Sequence, residues 1–180
     1  YTVRDREGDQ GFQFYPWDTE TALSNVNTNR TGVDNAVARP YGALRANALF
    51  RQRFGDHVFR HTSPGGALYV NPNARHWDPS HPENNRPAER FVALANEVER
   101  AVVGESARWG DQLRNSPYTR DEHWAKARDN LLNNFFPHRT ERFLTQLRQT
   151  DLYPTIDPPI FNQPGGSVDP GFLLAMQASQ

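Results

Sequence analysis

The chain contains no cysteine, which excludes disulfides, thiolate metal sites and a cysteine nucleophile but leaves the compartment open. Lysine is almost absent too. Lys126 is the only one, and every other basic side chain apart from histidine is arginine. A kinase-type phosphate-binding lysine therefore has essentially no candidate within these residues. No apolar run approaches the roughly 20 residues of a membrane-spanning helix, so no membrane span is expected. Charge of one sign is also missing. Twenty basic and twenty-one acidic side chains leave a net charge of -1, so no basic field exists to hold nucleic acid or an anionic membrane. The first residue is Tyr1 and no signal-like segment follows, so the chain is expected to be a piece of a longer protein.

What is present argues for order. Eleven Phe, six Tyr and four Trp in 180 residues supply large side chains to bury and exclude a disordered chain. Fourteen Pro and twelve Gly predict long ordered connections between elements.

From Tyr1 to Asp18 the pattern is that of a β-hairpin, with a turn at Arg6-Glu7-Gly8-Asp9-Gln10-Gly11 and an aromatic return strand, Phe12-Gln13-Phe14-Tyr15, stopped by Pro16. Thr19 to Pro40 is polar and aperiodic, with Asn25, Asn27, Asn29 and Asn35. From Tyr41 the period becomes helical: Phe50, Phe54 and Val58 recur at i, i+4, i+8, predicting one helix of about five turns that ends before Ser63-Pro64-Gly65-Gly66. Pro87 opens a second helix, through Phe91, Leu94, Val98 and Val102 to about Trp109. Thr119 and Glu122 have capping-box spacing before a third helix at Trp124, Leu131 and Leu132. Pro137 starts a fourth, with Phe143, Leu144 and Leu147 on its apolar face. After Pro158-Pro159, Phe172, Leu174 and Met176 alternate like one strand without a partner. The expected fold is α+β, an N-terminal β-hairpin packed on a bundle of about four helices. Phe54, Val58, Leu94, Val98, Leu131, Phe143 and Leu147 are its expected core.

One step in this pattern carries chemistry. Phe14-Tyr15-Pro16-Trp17-Asp18-Thr19-Glu20 is an aromatic strand ending in Pro-Trp-Asp, with a second acid two residues on. It resembles the signature of CotH-like (spore-coat-type) kinases. The likeness continues through Phe50-Arg51-Gln52-Arg53-Phe54, His61 to Gly65-Gly66-Ala67-Leu68, Glu105-Ser106-Ala107-Arg108-Trp109-Gly110-Asp111, Pro117 to Asp121, Phe136-Pro137-His138-Arg139-Thr140 and Leu152-Tyr153-Pro154. Residues 1–158 would then be the C-terminal part of such a domain, a partial protein-kinase-like C-lobe. The resemblance implies phosphoryl transfer from ATP to a protein substrate, with Mg2+ or Mn2+ held by Asp18 and by Glu20, where family members often carry Asp. Phosphoryl transfer asks mainly for metal ions and positioning groups, and magnesium favours hard carboxylate oxygens while keeping several waters.

The upstream lysine and the catalytic aspartate and asparagine of such a domain would precede Tyr1, so these residues alone are expected to be inactive, with no catalytic residue among them. A non-catalytic pseudokinase or scaffold module of a secreted multidomain protein is the alternative. His57 and His61, spaced i, i+4 with His76 and His81 nearby, give a third reading as a metal site, although Val58 stands where a zinc protease needs Glu. Asp18 also fits a turn or helix cap, and Trp109 a packing plug. Residues 159–180 resemble a linker and the first strand of a chitobiase-C-terminal-like, immunoglobulin-type domain, which implies an extracellular or cell-envelope location.

Overall fold

The computed structural model describes residues 2–4, 6–8, 11–15, 19–163 and 166–178. The described chain is mostly helical. Two short strands, β1 (Thr2–Arg4) and β2 (Phe12–Phe14), pair antiparallel with Val3 opposite Gln13. There follow α1 (Arg39–Leu44), α2 (Ala48–Thr62), α3 (Arg86–Trp109), α4 (Ala125–Asn130) and α5 (Phe136–Arg148). Near the C-terminus β3 (Ile160–Phe161) pairs antiparallel with β4 (Met176–Gln177). The chain divides into two compact units, one of residues 1–30 and 59–143, the other of 31–58 and 144–180.

In the first unit, α3 starts where the sequence places it, and the reason is visible. Asn85 is the N-cap, its Oδ1 accepting the Ala88 amide at 3.0 Å, and Pro87 fills an early position whose amide would have no partner. Ala88 and Ala95 lie on one line of α3 and are buried. Ala88, Phe135 and Phe136 form the core, with Val26, Trp77, Phe91, Leu131 and Leu132 against it. Phe91 and Phe136 stand 5.0 Å apart between ring centroids. Leu94 and Val98, expected inside, are 44% and 47% exposed. At 100° per residue they are turned by roughly a quarter to a third of a turn from the Ala88–Ala95 line, and that line faces the aromatic pair.

The third and fourth helices were expected to be separated at Pro137. Instead a single helical run passes from a π-helical turn (Arg120–Trp124) through α4 and a second π-helical turn (Leu131–Phe135) into α5. A proline inside a helix loses one amide donor and presses its ring on the carbonyl four residues back. Widening the turn before Pro137 relieves that contact, and burial of Pro137 holds the run in place. The capping box is half formed. Thr119 Oγ1 accepts the Glu122 amide at 3.2 Å, but the Thr119 amide goes to His123 Nδ1 at 3.1 Å, because the Glu122 carboxylate is bound by Lys126. Thr62 ends α2 at the expected stop, and the chain turns back so that the Leu68 amide reaches the His61 carbonyl at 2.8 Å. Gly66 makes that turn possible, since a Cβ there would overlap the carbonyls of Arg60 and His61.

In the second unit the expected five-turn helix from Tyr41 is two helices. Asn47 breaks it: its Oδ1 accepts the Phe50 amide at 3.1 Å and its carbonyl the Arg51 amide, the pattern of an N-cap. Val58, Leu147, Leu152 and Tyr153 are buried here. After α5, Asp151 takes φ 55°, and the Leu152 amide returns to Leu147 O at 3.0 Å while the Asp151 amide goes to Arg148 O. This is a Schellman closure with an aspartate in the left-handed position usually held by glycine. Its apolar pair, Leu147 and Leu152, is 1% exposed at both residues.

The C-terminal strand was expected to lack a partner; Ile160–Phe161 supplies it, stitched by Asn162, whose Oδ1 accepts the Ala175 amide at 2.9 Å. A small two-stranded antiparallel sheet thus lies near the C-terminus, a correction to a fold whose only hairpin was to be N-terminal. The described side chains of the N-terminal segment give no sign of a helix-covered face, Val3 being 53% and Tyr15 52% exposed.

Candidate functional site

Asp18, the first expected metal ligand, lies outside the described residues. Glu20, the second, sits in a 3-10 turn (Thr19–Thr21) and is exposed. Thr19 and Thr21 carbonyls accept the Ala22 and Ser24 amides at 3.0 and 3.1 Å, so Glu20 stands in a tight turn. Among the described residues Glu20 makes no ion pair.

Beyond this turn the chain is fastened to the helices of the same unit. Val26 packs on the Ala88–Phe135–Phe136 core, and its carbonyl accepts from Arg139 at 2.7 Å. Thr140, next to Arg139 on α5, donates to the Leu68 carbonyl at 2.8 Å. Ala22, Leu23, Leu68, Phe136, Arg139 and Phe143 are among the residues lining a hollow of about 300 Å³. Its walls are apolar, and its cation is Arg139, which burial holds below the ordinary arginine range. Arg139 entered the sequence reading only as part of the Phe136–Thr140 motif. Its sole signal there was its place after the buried Phe-Pro pair.

The asparagines of the long connection have local roles. Asn25 Oδ1 accepts the Asn27 amide at 2.8 Å, and Asn35 Oδ1 those of Val37 and Ala38 at 3.1 and 2.9 Å, so both shape turns. The histidine alternative gains no geometry. His57, His61, His76 and His81 are exposed, His81 lies 3.4 Å from Glu83, and no group of three or more His, Asp or Glu able to hold a metal occurs among the described residues. Among those residues no helix is long and apolar enough to cross a membrane. No protein-family model, curated protein or solved structure matches the chain.

Proposed function

We propose that this chain is the C-terminal part of a CotH-like kinase domain, in which Asp18 and Glu20 hold Mg2+ or Mn2+ for phosphoryl transfer from ATP to a protein substrate. The observation that supports this reading is the way its motifs meet. The Gly65–Leu68 turn and the Phe136–Thr140 segment, far apart in sequence, are joined by the Thr140–Leu68 hydrogen bond, while Arg139 ties down Val26. The segments that carry the resemblance act as one scaffold for the stretch that follows Asp18.

The donor chemistry fits a hard divalent cation, since Glu20 presents an exposed carboxylate with no ion pair among the described residues. Such an ion, when bound, supplies neutralisation of the phosphate charge. Glu20 contributes an oxygen donor, and Arg139 fixes the backbone at Val26. Lys126 is the only lysine and is bound to Glu122, so these 180 residues provide no phosphate-binding lysine and transfer no phosphate by themselves. An extracellular or cell-envelope location accompanies the proposal.

Manganese binding followed by electron paramagnetic resonance tests it. Asp18→Asn is expected to weaken binding by about tenfold or more, and Glu20→Gln by less. Equal binding by Asp18→Asn and the parent chain would remove the metal assignment. Metal-dependent phosphate incorporation by the 180-residue chain alone would show that the catalytic residues lie elsewhere.

A further inference from the structure

The helical run that begins at Arg120 is closed at its start by a histidine. Thr119 is the N-cap, and its hydroxyl accepts the Glu122 amide at 3.2 Å. Its own amide donates to His123 Nδ1 at 3.1 Å. In a capping box, a Glu or Gln at the third helical position accepts that amide. Glu122 holds that position but is bound by Lys126, and the half-buried imidazole one residue on accepts instead.

This bond fixes the state of the ring. A backbone amide can only donate, so Nδ1 carries a lone pair and the proton of the neutral ring sits on Nε2. Nε2 lies 3.5 Å from Arg114 Nη1, donor against donor. A second proton on the ring would act twice. It would turn Nδ1 into a donor aimed at the Thr119 amide, and it would place a cation beside the Arg114 guanidinium at a helix N-terminus, where positive charge is disfavoured. The acids on the same turn are engaged by other cations, Asp121 by Arg120 and Glu122 by Lys126. From α3, Glu99 is also bound by Arg120, while Glu105 lines the same cleft as His123. From the preceding connection, the Tyr118 ring meets His123 edge-on at 5.0 Å and carries Arg114 at 4.6 Å from its centroid.

We propose that His123 is a pH-sensitive latch, which holds the Gly110–Thr119 connection to the start of the helical run when neutral and releases it when protonated. The connection itself is exposed, Leu113 at 89%, and is tied at its base by the Tyr118 amide on the Gly110 carbonyl at 2.8 Å. Trp109, Tyr118, His123 and Trp124 line one open cleft of about 430 Å³, so release at Thr119 alters a wall of that cleft. Glu105 in the same cleft offers the charged ring an alternative partner. Imidazole changes charge between about pH 5 and 8. The closed form is the one that needs the unprotonated ring, so closure is favoured at the upper end of that range and lost as pH falls. This inference does not rest on the kinase reading.

The test is a nuclear magnetic resonance titration of the 15N-labelled chain from about pH 8 to about pH 5. It reads the His123 ring nitrogens and the hydrogen-exchange protection of the Thr119 amide, corrected for the intrinsic pH dependence of exchange. At the upper end the ring is expected as the Nε2–H tautomer. As it takes up its proton, Thr119 protection should fall about fivefold or more, the loss of one hydrogen bond. His123→Asn sets Oδ1 in the place of Nδ1, an acceptor that does not titrate, and should keep the amide protected throughout. His123→Ala should leave it poorly protected at both ends, and His123→Asn keeps the proposal testable if that variant fails to fold. An Nδ1–H tautomer, a ring still neutral at about pH 5, or Thr119 protection that does not follow the ring overturns the proposal. The same pH dependence in His123→Asn overturns it as well, by assigning the change to another group.

Discussion

Replacing Asn85 tests how the first unit is held together. This side chain is 1% exposed and uses both ends of its amide: Oδ1 accepts the Ala88 amide at 3.0 Å and Nδ2 donates to the Arg75 carbonyl at 2.7 Å. Its neighbours continue the join, Asn71 to the Asn84 carbonyl at 2.7 Å and Arg86 to the Tyr69 carbonyl at 3.0 Å. Asn85→Ala removes a helix cap, about 1 kcal/mol. It also leaves a partly buried carbonyl without its donor, about 1–2 kcal/mol more. The expected loss is about 2–3 kcal/mol, a large share of the roughly 5–15 kcal/mol typical of a folded domain. Thermal denaturation followed by circular dichroism at the helical band should show Tm lower by roughly 4–12 °C. Asn85→Asp separates the two contributions. It keeps the cap acceptor but sets a carboxylate against the Arg75 carbonyl, so the folded state favours the protonated acid and raises its pKa. The deficit against the parent protein is then full at neutral pH and shrinks as pH falls through that raised pKa toward the ordinary aspartate value of about 3.9. A loss below about 0.5 kcal/mol for Asn85→Ala, or a deficit in Asn85→Asp that does not respond to acid, would refute the reasoning.

Three further outcomes follow from the same contacts. Asp151→Gly should stabilise the second unit by about 0.5–1 kcal/mol, because it relieves a left-handed φ of 55° while gaining some unfolded-state entropy; a lower midpoint in urea would contradict that account. Gly110→Ala should cost at least about 1–3 kcal/mol through overlap with the Ser106 and Tyr118 carbonyls, seen as a fall in Tm together with a change in the Trp109 environment. Glu141 is bound by the Arg75 guanidinium, which holds its carboxyl below the ordinary glutamate range. Its contribution is therefore present above the ordinary value and lost as pH falls through the depressed folded value. The pair is largely exposed, so Glu141→Gln should cost under about 1 kcal/mol, a deficit that holds above the ordinary glutamate range and disappears as pH falls through the depressed value.

Local signals located much of the helical structure. Pro87 marked the start of α3, Ser63-Pro64-Gly65-Gly66 the end of α2, and Thr119 the start of the next helix; each works through the backbone within a few residues, so neighbours in sequence suffice. Asn47 as a helix break and Asn85 as a cap have the same local origin. Both were readable in principle, but Asn47 was hidden by apolar periodicity on either side and Asn85 among the other polar residues of its connection. The polar turn carrying Glu20 was also legible as a connection, though its 3-10 form was not.

What tertiary structure decided depended on partners distant in the chain. Whether Pro137 would break a helix or be absorbed by a π-helical turn rested on its burial, which no local rule supplies. Leu94 and Val98 look like core in the sequence because period alone cannot say which side of a 24-residue helix meets a neighbour. β4 looked unpaired because its partner, Ile160–Phe161, is only two residues long and lies across an irregular stretch of chain. The importance of Arg139 and the gathering of Trp109, Tyr118 and Trp124 into one cleft emerged from the fold for the same reason. Propensity and periodicity act over a few residues, whereas burial and the meeting of side chains are properties of which segments fold against one another.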